Sequence, residues 1–281
     1  MRGRLTKLSP ADFLIIKDAP LLSKRAWRVW RRDGSGQLVA RARKYVRHRS
    51  LARAFDEYGP WISGFMIDGV HYGGSYDPMN DWRIARLLDE VSIKGKRVLE
   101  LGSFEGGHTA ALAAAGAEVV AVEGRKANFR RCLLVSEIFG LTNVSFQMGD
   151  IRNVTRETHG TFDIALAIGV LYHLPDPERL LANLLHMAPQ TLLWTHVADE
   201  KHPVESRHGE LQTAFGKFRG KMVGEDSTRA TSALDRDDAI WLYREDLLAL
   251  IKAIGYRDCR VLAEQPADAL PSPAVLALLS A

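Results

Sequence analysis

Short apolar segments alternate with helical patterns along the chain from about residue 80 to its end. The apolar segments are rich in Val, Ile, Leu and Ala and are bounded by Gly or polar residues, as expected of strands buried on both faces. This pattern predicts strands over residues 98–101, 117–122, 144–146, 162–168 and 191–195. Helices are predicted over residues 81–90, 109–115, 126–140, 177–187 and 243–254, the third with Phe129, Leu133, Ile138 and Phe139 as its core side. The alternation favours an α/β fold whose parallel sheet is covered by helices on both faces.

The N-terminal part of the chain is strongly basic. Residues 1–53 contain fifteen Lys or Arg and three Asp, a net charge of +12, whereas the remainder carries 23 basic and 31 acidic residues, a net charge of −8. Helices are predicted here over residues 23–32 and 37–58, the second with an apolar side formed by Leu38, Ala42, Tyr45 and Val46. Such an arm can pack on the main domain, contact RNA phosphates or lie on an anionic membrane. The sequence leaves these three alternatives open.

Composition also indicates where the basic arm ends and where an insertion interrupts the main domain. Gly59 and Pro60 end the arm, so we expect a basic helical extension over residues 1–60 and one larger domain over residues 61–281. Residues 61–76 are rich in Gly and aromatic residues and favour a short hairpin over the active site. Residues 197–240 are polar and punctuated by Gly, and an insertion of that length between a strand and a helix often carries substrate specificity.

The overall composition is that of an ordinary soluble protein, with 46% hydrophobic and 26% charged residues. No apolar run approaches the ~18 residues of a membrane-spanning helix, so we expect a cytoplasmic protein, with peripheral attachment to a membrane as the alternative. Cys132 and Cys259 form no pairing pattern and are expected to be reduced thiols. The nine histidines lack ligand spacing, so no metal site is expected.

A Gly-rich turn after the first predicted strand is the first candidate for chemistry. Gly102, Gly106 and Gly107 lie between that strand and the following helix, where glycine lets the backbone pass close to a ligand. The next strand ends in Glu123, at roughly the 20-residue spacing at which a carboxylate meets a ribose diol. The pattern therefore indicates a nucleotide-binding turn.

This arrangement resembles a class I S-adenosylmethionine (SAM)-dependent methyltransferase over about residues 80–281. Glu100, Gly102 and Gly106 match the family's acid-x-Gly-x-Gly-x-Gly motif, and Phe104 stands where the middle Gly is common. The resemblance implies a Rossmann-like, doubly wound seven-stranded sheet, with residues 258–263 and 274–279 at its antiparallel end. It also implies SAM as the cofactor.

The resemblance assigns the cofactor site residue by residue. Glu123 would bind the ribose and Asp150 the adenine amino group, although a Gly-Asp pair also fits a simple turn or helix cap. The Gly turn would lie by the methionine moiety, and the end of the fourth strand would floor the reaction centre. The complete predicted set is Glu100, Gly102, Ser103, Glu105, Gly106, Glu123, Gly124, Asp150, Ile151, Ile168 and Gly169.

The segment Gly169-Val170-Leu171-Tyr172-His173 is similar to a motif of the tRNA wobble-uridine carboxymethyltransferase family. In that family the residue matching Tyr172 contacts the carboxylate of a carboxylated SAM. The family places a Lys before its Gly-Pro pair, where this chain has Tyr58, and the loss of that cation favours ordinary SAM. A similar motif after the fourth strand also occurs in methyltransferases of natural products, lipids and glycans.

Methyl transfer to a hydroxyl needs alignment of the acceptor and removal of a proton. His173 and His196 follow the fourth and fifth strands and are the candidate bases, with Tyr172 beside them; Glu225 and Trp241 are candidate acceptor contacts. The leading hypothesis is methyl transfer to a hydroxyl of a small molecule, glycan or lipid-linked acceptor. The alternatives are a tRNA-modifying enzyme, which the basic arm favours, and a non-catalytic protein that binds RNA or a partner.

Overall fold

The computed structural model describes residues 44–203, 205–229, 231–234, 238–266 and 272–281. The chain divides into two compact units, one that ends at Ser75 and one that spans Tyr76–Ala281. The sequence had placed the division after residue 60. The helix predicted over residues 23–32 lies outside the described residues.

In the first unit a helix, α1, runs to residue 57 and packs against a β-hairpin. The hairpin strands are β1 (Gly64–Ile67) and β2 (Val70–Gly73), which pair antiparallel. The Phe55 ring of α1 lies 4.7 Å from Trp61 and 5.3 Å from Tyr72 between centroids, which explains why the hairpin groups with the helix rather than with the second unit. Tyr45, which was predicted on the apolar side of the helix, is 38% exposed, and the buried side chains are instead Leu51 and Phe55.

The second unit is built on a seven-stranded sheet. Its strands are β3 (Arg97–Leu101), β4 (Glu118–Glu123), β5 (Val144–Met148), β6 (Ile164–Ile168), β7 (Gln190–His196), β11 (Asp258–Gln265) and β12 (Ala274–Ser280), in the order β11-β12-β7-β6-β3-β4-β5. The first five pair in parallel, and β12 runs antiparallel to both of its neighbours. The predicted α/β fold with an antiparallel end is therefore confirmed.

Helices cover both faces of this sheet. They are α2 (Trp82–Glu90), α3 (Gly107–Ala114), α4 (Lys126–Phe139), α5 (Arg156–His159), α6 (Pro177–Met187) and α7 (Arg244–Ile254). Alternate strand residues enter opposite layers: Leu99 packs in the core with α6 and α7, while Val98 packs in the core with α2 and α3. This two-sided burial is why the strands read as continuous apolar runs.

The core side predicted for α4 is wrong. Leu133 is 48% exposed, and the buried face consists of Asn128, Arg131, Cys132 and Val135. These residues follow the helical period, but two of them are polar, because this face lies on the Gly turn rather than on an apolar layer. Hydrophobicity alone therefore selected the wrong side of the helix.

The insertion predicted over residues 197–240 contains strands that the sequence analysis missed. They are β8 (Ser206–Thr213), β9 (Gly216–Val223) and β10 (Ala239–Leu242), which form an antiparallel sheet in the order β10-β9-β8. In β8 only Leu211 is fully buried, so the strand shows no alternation of polar and apolar residues.

Within the described ranges, no helix is long and apolar enough to cross a membrane.

Candidate functional site

The Gly turn joins β3 to α3 and adopts the left-handed backbone that its glycines permit. Gly102 has φ +74° and Gly106, the N-cap of α3, has φ +81°. A Cβ placed on Gly102 would lie only 2.4 Å from Cγ1 of Val170. Gly102 is therefore required both by the backbone conformation and by the close approach of the loop that follows β6.

Phe104 occupies the position at which the family motif commonly has a glycine, and it adopts a glycine-like conformation, with φ +54°. A left-handed residue other than Gly costs about 1–2 kcal/mol. The backbone N–H of Phe104 donates to Oε2 of Glu123 at 2.8 Å, and its carbonyl accepts from the Cys132 thiol at 3.2 Å. These bonds stabilise the left-handed backbone at Phe104 although the glycine is missing.

Two acidic side chains of the predicted cofactor set point into the protein. Glu100 is buried and accepts a hydrogen bond from the Thr109 hydroxyl at the start of α3, and burial raises its pKa. Glu105 is buried beside Arg131 of α4, with 3.5 Å between Oε1 and Nη1. Ser103 is also buried, against Cys132. The side chains of these residues therefore support the turn, and their backbone is what remains to face a ligand.

Glu123 lies at the end of β4 with both carboxylate oxygens engaged. Besides the bond from Phe104, Oε1 accepts from the backbone N–H of Arg125 at 2.8 Å. Burial raises the pKa of Glu123, while these two N–H donors and a hydrogen bond from the Asn128 side chain oppose that rise. A carboxylate has about four acceptor sites, so with three donors in place about one remains for the predicted ribose contact.

Asp150 follows β5 and is the N-cap of a short 3-10 turn. Its carboxylate accepts from the backbone N–H of Arg152 at 2.9 Å and pairs with Nη2 of the same residue at 2.6 Å. It therefore makes the cap that the sequence allowed as an alternative. Its contact with adenine, like that of the adjacent Ile151, stays a prediction.

Aromatic rings gather where β6 and β7 end. The Tyr172 ring lies 4.5 Å from His196 and 5.4 Å from Trp241 between centroids, and His196 stacks on Trp241 at 4.9 Å. A Cβ on Gly169 would lie 3.7 Å from the Tyr172 hydroxyl, so the cluster adjoins the predicted floor of the reaction centre, formed by Ile168 and Gly169. The structure thus brings Tyr172, His196 and Trp241 together from three separate elements.

The two candidate bases have different surroundings. Nδ1 of His173 lies 2.7 Å from Oε1 of Glu225, whereas Nδ1 of His196 lies 3.0 Å from the Ser272 hydroxyl. Burial lowers the pKa of His196 to about 4, so its ring is neutral and only weakly basic at pH 7. Burial tends to raise the pKa of Glu225, but the bonds from His173, Ala233 and Ser232 outweigh it and the pKa lies below its ordinary value. His173 is therefore the candidate base with an ionised partner.

Sequence analysis missed a polar network beside these rings. Arg83 of α2 donates to the Asp81 carboxylate from Nε and Nη2. It also donates to the Tyr76 hydroxyl at 2.8 Å, and Nε2 of His108 lies 3.0 Å from Asp81. The Arg83 guanidinium stands 4.5 Å from the centre of the Trp194 ring. Asp81 was recognisable as a helix N-cap, but only the tertiary structure brings Arg83 to the aromatic cluster.

Comparison with known proteins relates this chain to methyltransferases. The tRNA U34 carboxymethyltransferase of Pseudomonas fluorescens (strain Pf0-1) is 28% identical over 165 residues, which cover 56% of this chain and 51% of that protein. The ubiquinone biosynthesis O-methyltransferase of Coxiella burnetii (strain RSA 493 / Nine Mile phase I) is 31% identical over 105 residues, 37% of this chain and 44% of that protein. The chain thus spans about half the length of the curated relatives it matches.

Solved structures extend the likeness to most of the chain. The N-terminal domain of EvdMO1, solved in the presence of SAH and D-fucose, has a TM-score of 0.70 and 29% identity, covering 83% of this chain and 97% of that domain. The bifunctional kinase-methyltransferase WbdD, with a TM-score of 0.54 and 18% identity over 82% of this chain and 46% of that chain, shares the fold. These matches confirm the predicted class I methyltransferase fold and SAM as the cofactor. Residues 79–258 match the family model described as a methyltransferase domain, and the chain belongs to that family.

Proposed function

We propose that this protein transfers the methyl group of SAM to a hydroxyl of a small molecule, glycan or lipid-linked acceptor. The observation that carries the proposal is the contact between His173 and Glu225, which gives the candidate base an ionised partner near the end of the parallel sheet. The EvdMO1 domain was solved in the presence of SAH and D-fucose, which supports a sugar-like acceptor here.

The hydrogen-bond donors and acceptors of this pair support His173 as the base. An ionised carboxylate only accepts hydrogen bonds, so Nδ1 of His173 carries the proton and donates it to Glu225. In the neutral ring the opposite nitrogen, Nε2, has a free lone pair, and no other residue within the described ranges bonds to it. Such a nitrogen can take the proton from an acceptor hydroxyl as the oxygen attacks.

The surrounding rings supply a surface for the acceptor. Tyr172 and Trp241 present apolar faces, and burial raises the pKa of Tyr172 to about 12, so its hydroxyl stays protonated and can donate. Nε1 of Trp241 is buried and has no hydrogen-bond partner within the described ranges. A buried donor without a partner is costly, and an oxygen of a bound acceptor would satisfy it.

The cofactor is proposed to lie along the edge formed by β3, β4, β5 and β6. Glu123 would bind the ribose with its remaining acceptor site, beside Gly124, and Asp150 and Ile151 would face the adenine. The backbone of the Gly turn would hold the methionine moiety, above Ile168 and Gly169. The sulfonium supplies an already activated methyl group, so the residues of this chain need only align the acceptor and remove a proton.

The test is SAM turnover with a panel of acceptors, followed as SAH by mass spectrometry. The panel contains D-fucose, nucleotide-linked sugars, a polyprenyl-linked sugar and bulk tRNA. With an active acceptor, His173→Ala is expected to lower kcat by ~10²–10⁴-fold, the usual contribution of a general base. His159→Ala is the matched control, because that histidine is the last residue of α5 and its ring bonds only with Thr158 among the described residues. An unchanged kcat in the His173 variant would remove His173 as the base.

A tRNA-modifying activity is the second candidate, favoured by the match to the tRNA U34 carboxymethyltransferase and by the basic arm. In the first unit Arg47 and Arg49 of α1 are exposed, and so are the apolar side chains of Ile62, Met66 and Val70. Cations beside exposed aliphatic side chains suit an anionic membrane as well as RNA phosphates. Gel-shift with bulk tRNA and flotation with anionic vesicles separate the two. The Gly turn with Glu123, and the pair of His173 and Glu225, argue against a non-catalytic protein.

A further inference from the structure

The segment between β9 and β10 folds onto the cofactor cradle, which is formed by the Gly turn, Glu123 and Gly124. Its described residues 224–229 and 231–234 are called the clasp here. Its described residues make a tight internal structure: Thr228 donates to Asp226 from both its backbone N–H and its hydroxyl, and the Arg229 backbone bonds back to the Asp226 carbonyl at 3.0 Å. The side chain of Leu234 covers Gly124, where an added Cβ would lie 2.4 Å from Cδ1 of the leucine. The clasp therefore closes directly over the residue next to the predicted ribose acid.

Arg125 ties the clasp to that cradle. Its guanidinium donates to the backbone carbonyls of Ser227 and Ser232, both at 2.8 Å, and to that of Ala233. The backbone N–H of the same residue bonds to Glu123. One residue thus joins the ribose acid to three points of a distant segment, and its planar fork of five donors is suited to this task in a way that a lysine is not.

The other end of the clasp reaches the acceptor side. Glu225 accepts from the Ala233 backbone N–H at 2.9 Å and from the Ser232 hydroxyl, and its second oxygen meets His173. Ala233 and Ser232 are also the residues whose carbonyls Arg125 binds. Arg125 and Glu225 therefore both form hydrogen bonds with Ser232 and Ala233. A displacement of one side chain is expected to change the position of the other.

We propose that the clasp is a lid over the cofactor and that Arg125 is a positioning residue, which through Ser232 and Ala233 holds Glu225 against His173. Cofactor entry and exit require the lid to open, and opening withdraws the carboxylate that orients the base. The base is therefore set for proton removal only when the cofactor cradle is closed. This inference rests on the proposed function.

The test measures SAH dissociation and the ring signals of His173, neither of which needs a known acceptor. Parent, Arg125→Ala, Glu225→Gln and Arg229→Ala proteins are compared by stopped-flow release of SAH and by NMR of the histidine rings with and without SAH. Arg229→Ala is the matched control, because this arginine belongs to the clasp but its side chain is exposed and pairs only with Asp226 among the described residues. The charged and titratable groups around His173 are Glu225, His196 and Tyr172, so the His196 signal is followed as well.

In Arg125→Ala we expect SAH to dissociate at least about tenfold faster, since even one lost hydrogen bond from a charged donor is worth that factor. Added SAH shifts the His173 signal in the parent but not in this variant. Glu225→Gln loses the His173 response and keeps a release rate near that of the parent, because the Arg125 bonds are intact. Arg229→Ala behaves as the parent.

Parent-like release and a parent-like His173 response in Arg125→Ala would overturn the inference, and so would equal effects in Arg229→Ala. Arg125→Lys guards against a folding defect, since it keeps the charge but reaches fewer carbonyls, and an intermediate release rate is expected of it. If the parent failed to bind SAH, the proposed function would fall, which is a distinguishable result.

Discussion

Replacement of Glu123 by glutamine tests the cofactor site most directly. Glutamine has nearly the shape of glutamate and can still accept one of the two backbone bonds, from Phe104 or Arg125. Its amide NH₂ cannot accept the other, and it turns one charged contact with the ribose diol into a neutral or mismatched one. Hydrogen bonds to charged groups contribute about 1.5–3 kcal/mol, so SAM affinity is expected to fall by roughly 10–150-fold.

The assay is calorimetric titration with SAM and SAH, combined with urea unfolding without ligand. Glu123→Ala is a poorer probe, because it leaves two buried N–H groups without a partner and so weakens the turn as well as the ribose contact. Glu118→Gln is the matched control, since Glu118 is the exposed first residue of the same strand. Unchanged SAM affinity in a folded Glu123→Gln protein would refute the ribose assignment.

Four further predictions follow from individual contacts. Gly102→Ala should destabilise the fold by about 1–3 kcal/mol more than Gly95→Ala in urea unfolding, because both glycines have positive φ but only a Cβ at 102 would strike a neighbour. Asp81→Asn should destabilise the protein at any pH above 3.8, the ordinary pKa of the carboxylate. Burial acts to raise the pKa of Asp81, but bonds from His108 and Arg83 lower it below that value. The stabilisation by Asp81 is therefore lost as the pH falls and the carboxylate is protonated, and the effect of the substitution disappears with it. Ordinary SAM should compete successfully against carboxy-SAM, read by mass spectrometry of the bound fraction, because Tyr58 replaces the cation of the carboxymethyltransferase family. Deletion of residues 1–53 should abolish salt-dependent binding to tRNA or anionic vesicles in gel-shift and flotation assays, while SAM affinity stays within about tenfold of the parent.

Local sequence was sufficient for the sheet and for the cofactor turn. Strands such as β6 are apolar on both faces, and the turn needs glycine at φ values that other residues avoid, so both features are recorded in adjacent residues. The acid at the end of β4 was found for the same reason, because its distance along the chain from the turn is set by one strand-helix-strand unit.

Hydrophobic periodicity failed as a guide where the buried side chains are polar. The buried face of α4 carries Asn128 and Arg131, which hydrophobic periodicity assigns to solvent, and their burial is compensated by partners such as Glu105. The strand β8 was missed because Leu211 is its one buried apolar residue, so polar and apolar positions do not alternate along it. Neither the polar face of α4 nor β8 gives a periodic apolar signal in the sequence.

The amino-acid sequence thus determined the α/β fold, the glycine turn and the candidate residues at the strand ends, because each depends on neighbours within about thirty positions along the chain. Only the tertiary structure decided which histidine has a carboxylate partner, since Glu225 reaches His173 across 52 positions. It likewise brought Arg125 to carbonyls more than 100 positions away and Arg83 to the Trp194 ring. Those contacts arise from the docking of loops onto a finished sheet, and side-chain hydrogen bonds between distant loops impose no periodic pattern on the sequence.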